Sequence, residues 1–262
     1  MSLSRIKGIL YQEYYLTFRN LTIIMDLFFF SVMTLIVFGF MSLFLRSSGG
    51  ILASQYFLVG MILWEIIRIT QYSMSVESLW NIWSRNLSNM FISPLSLTEY
   101  FIAQMLSGML KAVIAFFIVS LLSLSLFNFN FFNLGFLNIS LFVLNLVIFA
   151  WSLGLFLLGL IFRYGQKLQS FAWFLVFIFQ PLTGTFFPIE ILPAPFQKIA
   201  YFLPPTHVFE AARFNLSSPL IRWDLIGISF LENIIYFAIS IWFFSYMFKR
   251  SKETGQFTKN ES

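Results

Sequence analysis

Few residues in this chain could do chemistry. The only histidine, His207, stands three residues before Glu210 and six before Arg213, so on a helix all three fall near one face. His207 and Glu210 could begin a metal site or serve a membrane enzyme. Zinc catalysis, however, needs three protein ligands, and the chain has no Cys, no second His and no HExxH. No metal is expected. The structural alternative is that Pro204 and Pro205 break the chain and Thr206 caps a short helix starting at His207. Glu210 and Arg213 then pair along its polar face, Val208, Phe209, Ala212 and Phe214 pack, and His207 is a hydrogen-bonding hinge. A second group is Asp26, Glu65, Arg68 and Lys111, all set in apolar runs. A charge at the centre of a membrane helix costs about 2.5–3.5 kcal/mol on insertion scales, so each needs a reason. Glu65 and Arg68 can pair at i and i+3, and Asp26 and Lys111 could pair between spans. Such pairs are either structural, with snorkelling ends, or a polar lining of an inner vestibule or a latch between helices. No GxxxxGK[ST] and no Gly-rich phosphate cradle occurs. Whatever drives this chain is an ion gradient or another subunit.

The setting is a bilayer. Of 262 residues, 59% are hydrophobic and 10% charged, against about 25% charged in soluble domains, and mean hydropathy is +0.83. The chain is long enough for several spans but not for an added soluble catalytic domain. Without Cys there are no disulfides or thiolate sites. The net charge of +5 lies at the ends of apolar runs, where it sets topology rather than binding nucleic acid. The first apolar run has no small-residue cleavage site and reads as a retained span.

Six apolar runs approach the roughly 20 residues that cross about 30 Å of hydrocarbon, near 21–45, 51–73, 101–127, 137–161, 168–187 and 228–248. One side carries Arg5, Lys7, Arg19, Arg85, Arg163, Lys167, Lys249, Arg250, Lys252 and Lys259; the other has only Arg46, Lys198, Arg213 and Arg222. The positive-inside rule places both termini in the cytoplasm. Residues 1–20 suit a helix lying at the interface, with Leu3, Ile6, Leu10, Tyr14 and Phe18 on its apolar stripe and Arg5, Gln12, Glu13 and Arg19 largely off it. A frayed N-terminus is the alternative. Gly154 and Gly159 in the fourth run would permit close helix approach. The tail 249–262 is polar and expected to be disordered.

Two segments stand out between the runs. Residues 181–219 hold seven of the eight prolines, yet the pieces between them are apolar. Proline lacks an N–H and fixes φ, so no continuous helix survives. Non-helical backbone at membrane depth is tolerated only where protein buries it or where it lines a wet cavity. The expectation is a set of short re-entrant helices on the outer face, built around Pro188, Pro193, Pro204 and Pro205. The second segment is the cytoplasmic loop 74–100. Residues 76–92 could form an amphipathic helix, with Leu79, Ile82, Trp83, Leu87, Met90 and Phe91 on its apolar side. Pro94 ends it, and Ser96 or Thr98 caps the helix that follows. A helix, a proline break and a second helix make a knuckle that a soluble partner could grip, though a merely structural loop could look the same. The short basic turn Arg163 to Lys167 would tie the fourth and fifth spans as a hairpin.

These residues resemble the permease subunit of type 2 ABC transporters over nearly the whole chain. The likeness is most specific at Phe187-Pro188, Leu192-Pro193 and Leu203-Pro204-Pro205-Thr206-His207, with Glu210 and Arg213, which is similar to the family's external gate. The stretch Asn86-Leu87 to Ser93-Pro94-Leu95-Ser96, after Arg85, resembles the loop docked onto the ATPase; Arg163-Tyr164-Gly165-Gln166-Lys167 matches a third position. Family members often carry a strongly charged stretch before the Ser-Pro, whereas here Glu77 and Arg85 are its only charges. The resemblance implies a single all-α membrane domain over 1–262, with six spans, an interfacial N-terminal helix and re-entrant gate helices, in the bacterial cytoplasmic membrane. It further implies a homodimer or heterodimer of permeases with separately encoded ATPase subunits. Those subunits carry the ATP and Mg, so no cofactor belongs to this chain. The expected activity is export of an amphiphile: a lipid-linked glycan, a drug or a lipid. The alternative from another class is an ion-driven secondary transporter or channel.

Overall fold

Asn20 and Gly50 punctuate the N-terminal third of the chain. A helix, α1 (Leu3–Arg19), stops at Asn20, whose extended backbone and side-chain oxygen, 3.0 Å from Thr22 N, begin the next one. That helix, α2 (Leu21–Ile24), passes through one π turn at Met25–Phe29 into α3 (Phe30–Gly49). Gly50 then takes φ +89, a conformation suited to glycine, and turns the chain back. The computed structural model describes residues 1–83 and 94–254, and within them every regular element is helical. After Gly50 come α4 (Ile51–Trp83), α5 (Leu97–Phe127), α6 (Phe136–Tyr164) and α7 (Gln169–Leu182), then α8 (Ala194–Ala200), α9 (Pro204–Phe214) and α10 (Trp223–Glu253). Short 3₁₀ turns lie at Phe131–Leu134, Gly165–Leu168 and Ile189–Ile191.

Among the described residues, five helices are long and apolar enough to cross a membrane: Leu21–Ser47, Ile51–Glu77, Leu97–Phe127, Phe136–Tyr164 and Trp223–Glu253. The run expected at 168–187 gives only the 14 residues of α7. At 1.5 Å per residue that is about 21 Å, short of the hydrocarbon thickness. Its end has a local cause. Pro181 sits in the last turn, and the Thr183 hydroxyl donates to Phe179 O and Gln180 O, satisfying carbonyls that a longer helix would have used.

α4 is the axis of the fold. It packs against α3, α5, α6, α7 and α9, while α6 and α10 form the other broad pair. Glycines set two of these contacts, as read from the sequence. A Cβ on Gly154 would lie 2.7 Å from Met74 Cβ of α4, and one on Gly159 would lie 3.1 Å from Phe244 Cα of α10. Outward, α3 exposes Met33, Val37, Phe40 and Phe44, and α10 exposes Leu231, Ile234, Ile239 and Trp242. Surfaces this apolar are solvated by lipid or another protein, not by water.

Four sequence expectations shift. The loop placed at 74–100 begins later, because α4 continues to Trp83. No Gly or Pro interrupts 74–83, and its polar residues Ser75 and Glu77 are buried against neighbours rather than solvated. α1 turns only part of its apolar stripe inward: Ile6 is buried together with Ile9, Glu13 and Thr17, while Leu3, Tyr14 and Phe18 remain exposed. Glu13, a carboxylate set off the stripe, marks the face against protein. α7 leans on α4 through Ala172 and Val176 instead of lying along α6 as a hairpin. Finally, α10 continues through residues 249–253 of the expected tail, where Ser251 Oγ donates to Phe162 O at 2.6 Å.

Candidate functional site

Two clusters of buried charges are anchored on α4. The lower one joins three helices near the α1 end. Lys111 of α5 places Nζ 2.7 and 2.8 Å from the two Glu77 oxygens of α4, and 3.3 Å from Glu13 Oε2 of α1. Gln104 donates to the remaining Glu13 oxygen at 2.9 Å. All four side chains are buried. Lys111 thus does not pair with Asp26; a closer pair of carboxylates holds it. Sequence reading assigned Glu77 to a loop and Glu13 to a solvated face, so neither entered the set. An amphipathic pattern with one carboxylate on its inner edge was the only trace they left.

Asp26, Glu65 and Arg68 meet about three turns further along α4 from Glu77. The guanidinium of Arg68, 6% exposed, lies 2.6 Å from Glu65 Oε2, and its Nη2 also donates to Ser31 Oγ at 2.7 Å. The expected i,i+3 pair is therefore present. Arg68 also donates to the carbonyls of Asp26 and Leu27 at 3.2 and 3.4 Å. Both belong to the π turn, where the looser backbone ladder leaves carbonyls free for a side chain. The carboxylate of Asp26 accepts instead from Tyr72 OH at 2.9 Å. Asp26, Arg68 and Tyr72 line a cavity of about 80 Å³ between the π turn, α3, α4 and α7, whose walls include Phe30, Trp173 and Phe177.

The proline segment is fastened to α10 and to the far end of α4. Pro188 and Pro193 precede the 3₁₀ turn and α8, each with φ close to −60. Gln197 locks that pair by donating to Leu192 O at 2.7 Å. α9 starts at Pro204 and Pro205 themselves, with Leu203 in the cap position and no side-chain cap. Thr206 is thus not a cap, because two prolines at the first helical positions need no N–H acceptor. Its hydroxyl is buried without a hydrogen-bond partner among the described residues.

Arg213 pairs with Glu210 at 2.7 Å as expected, and reaches across to Gly184 O at 2.6 Å. His207 Nε2 lies 3.1 Å from Tyr201 O and 3.4 Å from Glu232 Oε1 of α10. One stripe of α10 receives the segment: Ser229 donates to Pro204 O and Tyr236 to Phe202 O, both at 2.9 Å. On α4, a Cβ added to Gly60 would fall 1.7 Å from Thr185 O. Ser229, Tyr236 and Gly60 had no sequence signal, because each acts on a backbone far away in the chain; Glu232 showed only as a carboxylate near the outer end of the last apolar run.

Of the knuckle, Arg85, Asn86, Leu87 and Ser93 lie outside the described residues, as does most of the helix expected over 76–92. Pro94, Leu95 and Ser96 lead into α5. Ser96 is the cap of the two candidates: its hydroxyl accepts from Glu99 N at 3.2 Å, and Glu99 Oε2 accepts from Ser96 N at 2.9 Å. This reciprocal capping box is tied to the start of the chain, since Glu99 Oε1 accepts from Ser2 N at 2.7 Å and Arg5 lies 3.6 Å from its other oxygen.

Five long apolar helices, an apolar girdle and charges buried in pairs define a helical integral membrane protein. Among the described residues no three His, Cys, Asp or Glu side chains gather as metal ligands. The ABC-2 type transporter family model matches residues 4–217. The chain belongs to that family and is the permease, the membrane component of a type 2 ABC transporter. No curated protein matches it. The family's membrane domain is not itself catalytic and implies an ABC ATPase as its partner.

Proposed function

We propose that this chain is the transmembrane half of an ATP-driven exporter, moving an amphiphile such as a lipid-linked glycan, a drug or a lipid out across the bacterial cytoplasmic membrane. It works with a separately encoded ABC ATPase and a second permease copy, as a homodimer in the simplest assembly. The observation that carries this reading is the family match across residues 4–217. In the proposed topology α7 and the turn after it complete a sixth crossing, both termini are cytoplasmic, and 181–219 folds back into the outer leaflet as a gate. The charge asymmetry between the two ends of the helices supports this orientation.

The geometry supports the division of labour. The start of α5, where Pro94, Leu95 and Ser96 follow the proposed ATPase-docking segment, is stiffened by the Ser96–Glu99 box and held to the chain's first residues. A push delivered there moves α5 and α1 together. At the opposite end the gate is assembled from short helices held by side chains of α9 and α10 and by the close approach of Thr185 to Gly60 of α4. Liposomes test the proposal directly. The chain reconstituted with its co-purifying ATPase should move substrate only with hydrolysable ATP, and the chain alone should move none. Transport by the chain alone down an ion gradient would overturn the reading in favour of a secondary transporter or channel.

A further inference from the structure

Asp26 has an incomplete environment. Its carboxylate is half-buried at the first turns of a membrane-spanning helix, where an ionised group needs a partner. Among the described residues it accepts a hydrogen bond from the Tyr72 hydroxyl. Among the described residues no cation lies within 4.0 Å of it, for Arg68 is committed to Glu65 and turns an N–H to the Asp26 backbone oxygen rather than to the carboxylate. Glu65 and Arg68 cancel, one negative against one positive, so the group's net charge is that of Asp26: minus one. Aromatic rings line the cavity beside the carboxylate. Tyr72 and Trp173 meet edge to face with centroids 5.1 Å apart, while Phe30 and Phe177, 45% and 38% exposed, form the rim. Arg68 already lies over the Phe30 ring at 4.8 Å, so one cation is held against these aromatics within the protein itself.

We infer that this cavity between α3, α4 and α7 binds the cationic head of an amphiphile, an ammonium group on an apolar tail, with Asp26 as its counter-ion and Tyr72 and Trp173 as its aromatic walls. A carboxylate within aromatic faces selects for positive charge, since both attract cations and the low dielectric strengthens each. Size limits the group. A 150 Å³ protein cavity takes a benzene molecule, so about 80 Å³ admits an ammonium or methylammonium head but not an aromatic drug nucleus or a sugar chain. The rest of the molecule must lie outside, along the exposed Phe174, Phe177 and Ile178 of α7. This deepens the exporter reading and rests on it: in the proposed orientation the cavity opens near the cytoplasmic leaflet, where an export substrate would load.

The test uses the purified full chain in a maltoside detergent, without ATPase, titrated with dodecylammonium, dodecanol and dodecanoate by an equilibrium binding assay. Wild type should bind dodecylammonium at least tenfold more tightly than the other two. Asp26→Asn should lose at least tenfold for dodecylammonium and leave dodecanol unchanged, whereas Tyr72→Phe, which keeps the carboxylate, should stay within about threefold of wild type. The tenfold figure is the lower end of a charge-assisted hydrogen bond's worth. Equal binding of the three probes to wild type overturns the inference without any variant, and equal ammonium affinity in a folded Asp26→Asn protein overturns the role of Asp26. Charge-blind binding would remove the cation site and leave ATP-driven transport standing; transport without ATPase would remove the exporter reading and leave this site intact.

Discussion

Replacing Lys111 with Met removes the one cation between Glu77 and Glu13 and substitutes a side chain of similar length. Lys111 Nζ satisfies both oxygens of Glu77 at 2.7 and 2.8 Å and one of Glu13 at 3.3 Å. All three residues are more than nine-tenths buried. Leaving a buried charge without its partner costs about 3–5 kcal/mol. For a chain of this size each kcal/mol moves the melting midpoint by about 2–4 °C, which predicts a fall of about 6–20 °C for Lys111→Met. Thermal challenge followed by fluorescence-detected size exclusion reads that midpoint. Unfolding of a membrane protein is commonly irreversible, so the ranking of variants carries the argument. The ranking follows from the partners left behind. Glu77 loses its ammonium contacts while Glu13 keeps the amide of Gln104 at 2.9 Å, so adding Glu77→Gln should recover more than half of the loss and adding Glu13→Gln clearly less. If Lys111→Met melts within about 2 °C of wild type, the cluster is not a fastening of α1, α4 and α5. Equal rescue by the two glutamines would show that the distances misassign the main partner.

Gly60→Ala should be the most damaging glycine substitution, because its methyl meets backbone, Thr185 O at 1.7 Å. In Gly154→Ala the methyl meets Met74 Cβ at 2.7 Å, a longer approach that a small helix shift relieves more readily than the 1.7 Å overlap at Gly60. Overpacking of this kind costs about 1–3 kcal/mol or more, and the two melting midpoints, with Gly60→Ala the lower, check the order. Glu210→Ala frees one side of Arg213 but leaves its bond to Gly184 O; the permease–ATPase complex should still assemble while export falls at least tenfold, and unchanged export would remove Glu210 from the gate. Pro94→Ala or Leu95→Asp should leave the melting midpoint within about 2 °C and uncouple ATP hydrolysis from transport, measured together in liposomes; coupled turnover surviving both would dismiss the docking assignment.

Local features were legible in the sequence because their causes are local. The pieces between prolines were placed within a few residues, since a proline ends or begins a helix wherever it stands. The Glu65–Arg68 and Glu210–Arg213 pairs followed from i,i+3 spacing, and Gly154 and Gly159 from the space that a missing side chain leaves. What stayed hidden depends on partners distant along the chain. Glu13 and Glu77 read as surface charges because nothing near them in sequence announces Lys111, and Ser75 and Glu77 of α4 read as part of a loop because burial among other helices leaves no periodic mark. Asp26 was found as an oddity, but its aromatic surroundings come from α4 and α7, 46 residues away at Tyr72 and further at Trp173.

Why α4 should carry all of this follows from its continuity. Between Met61 and Trp83 it has neither Gly nor Pro, so nothing within that stretch offers a hinge. Its fastenings fall in sequence order along it: Gly60 against Thr185 beside the gate, Glu65 and Arg68 at the π turn, Tyr72 at the cavity, and Glu77 on Lys111. From Gly60 to Glu77 is about 25 Å at 1.5 Å per residue. A helix of that length without a break moves as a rod, so a shift of α5 and α1 at the Glu77 end must either break the Lys111 cluster or appear at Thr185 and at the Asp26 cavity. In the proposed transporter the ionic cluster is therefore the clutch: with it intact a push at Pro94 reaches the gate, and Lys111→Met carrying a compensating Glu77→Gln should restore stability without restoring coupled export.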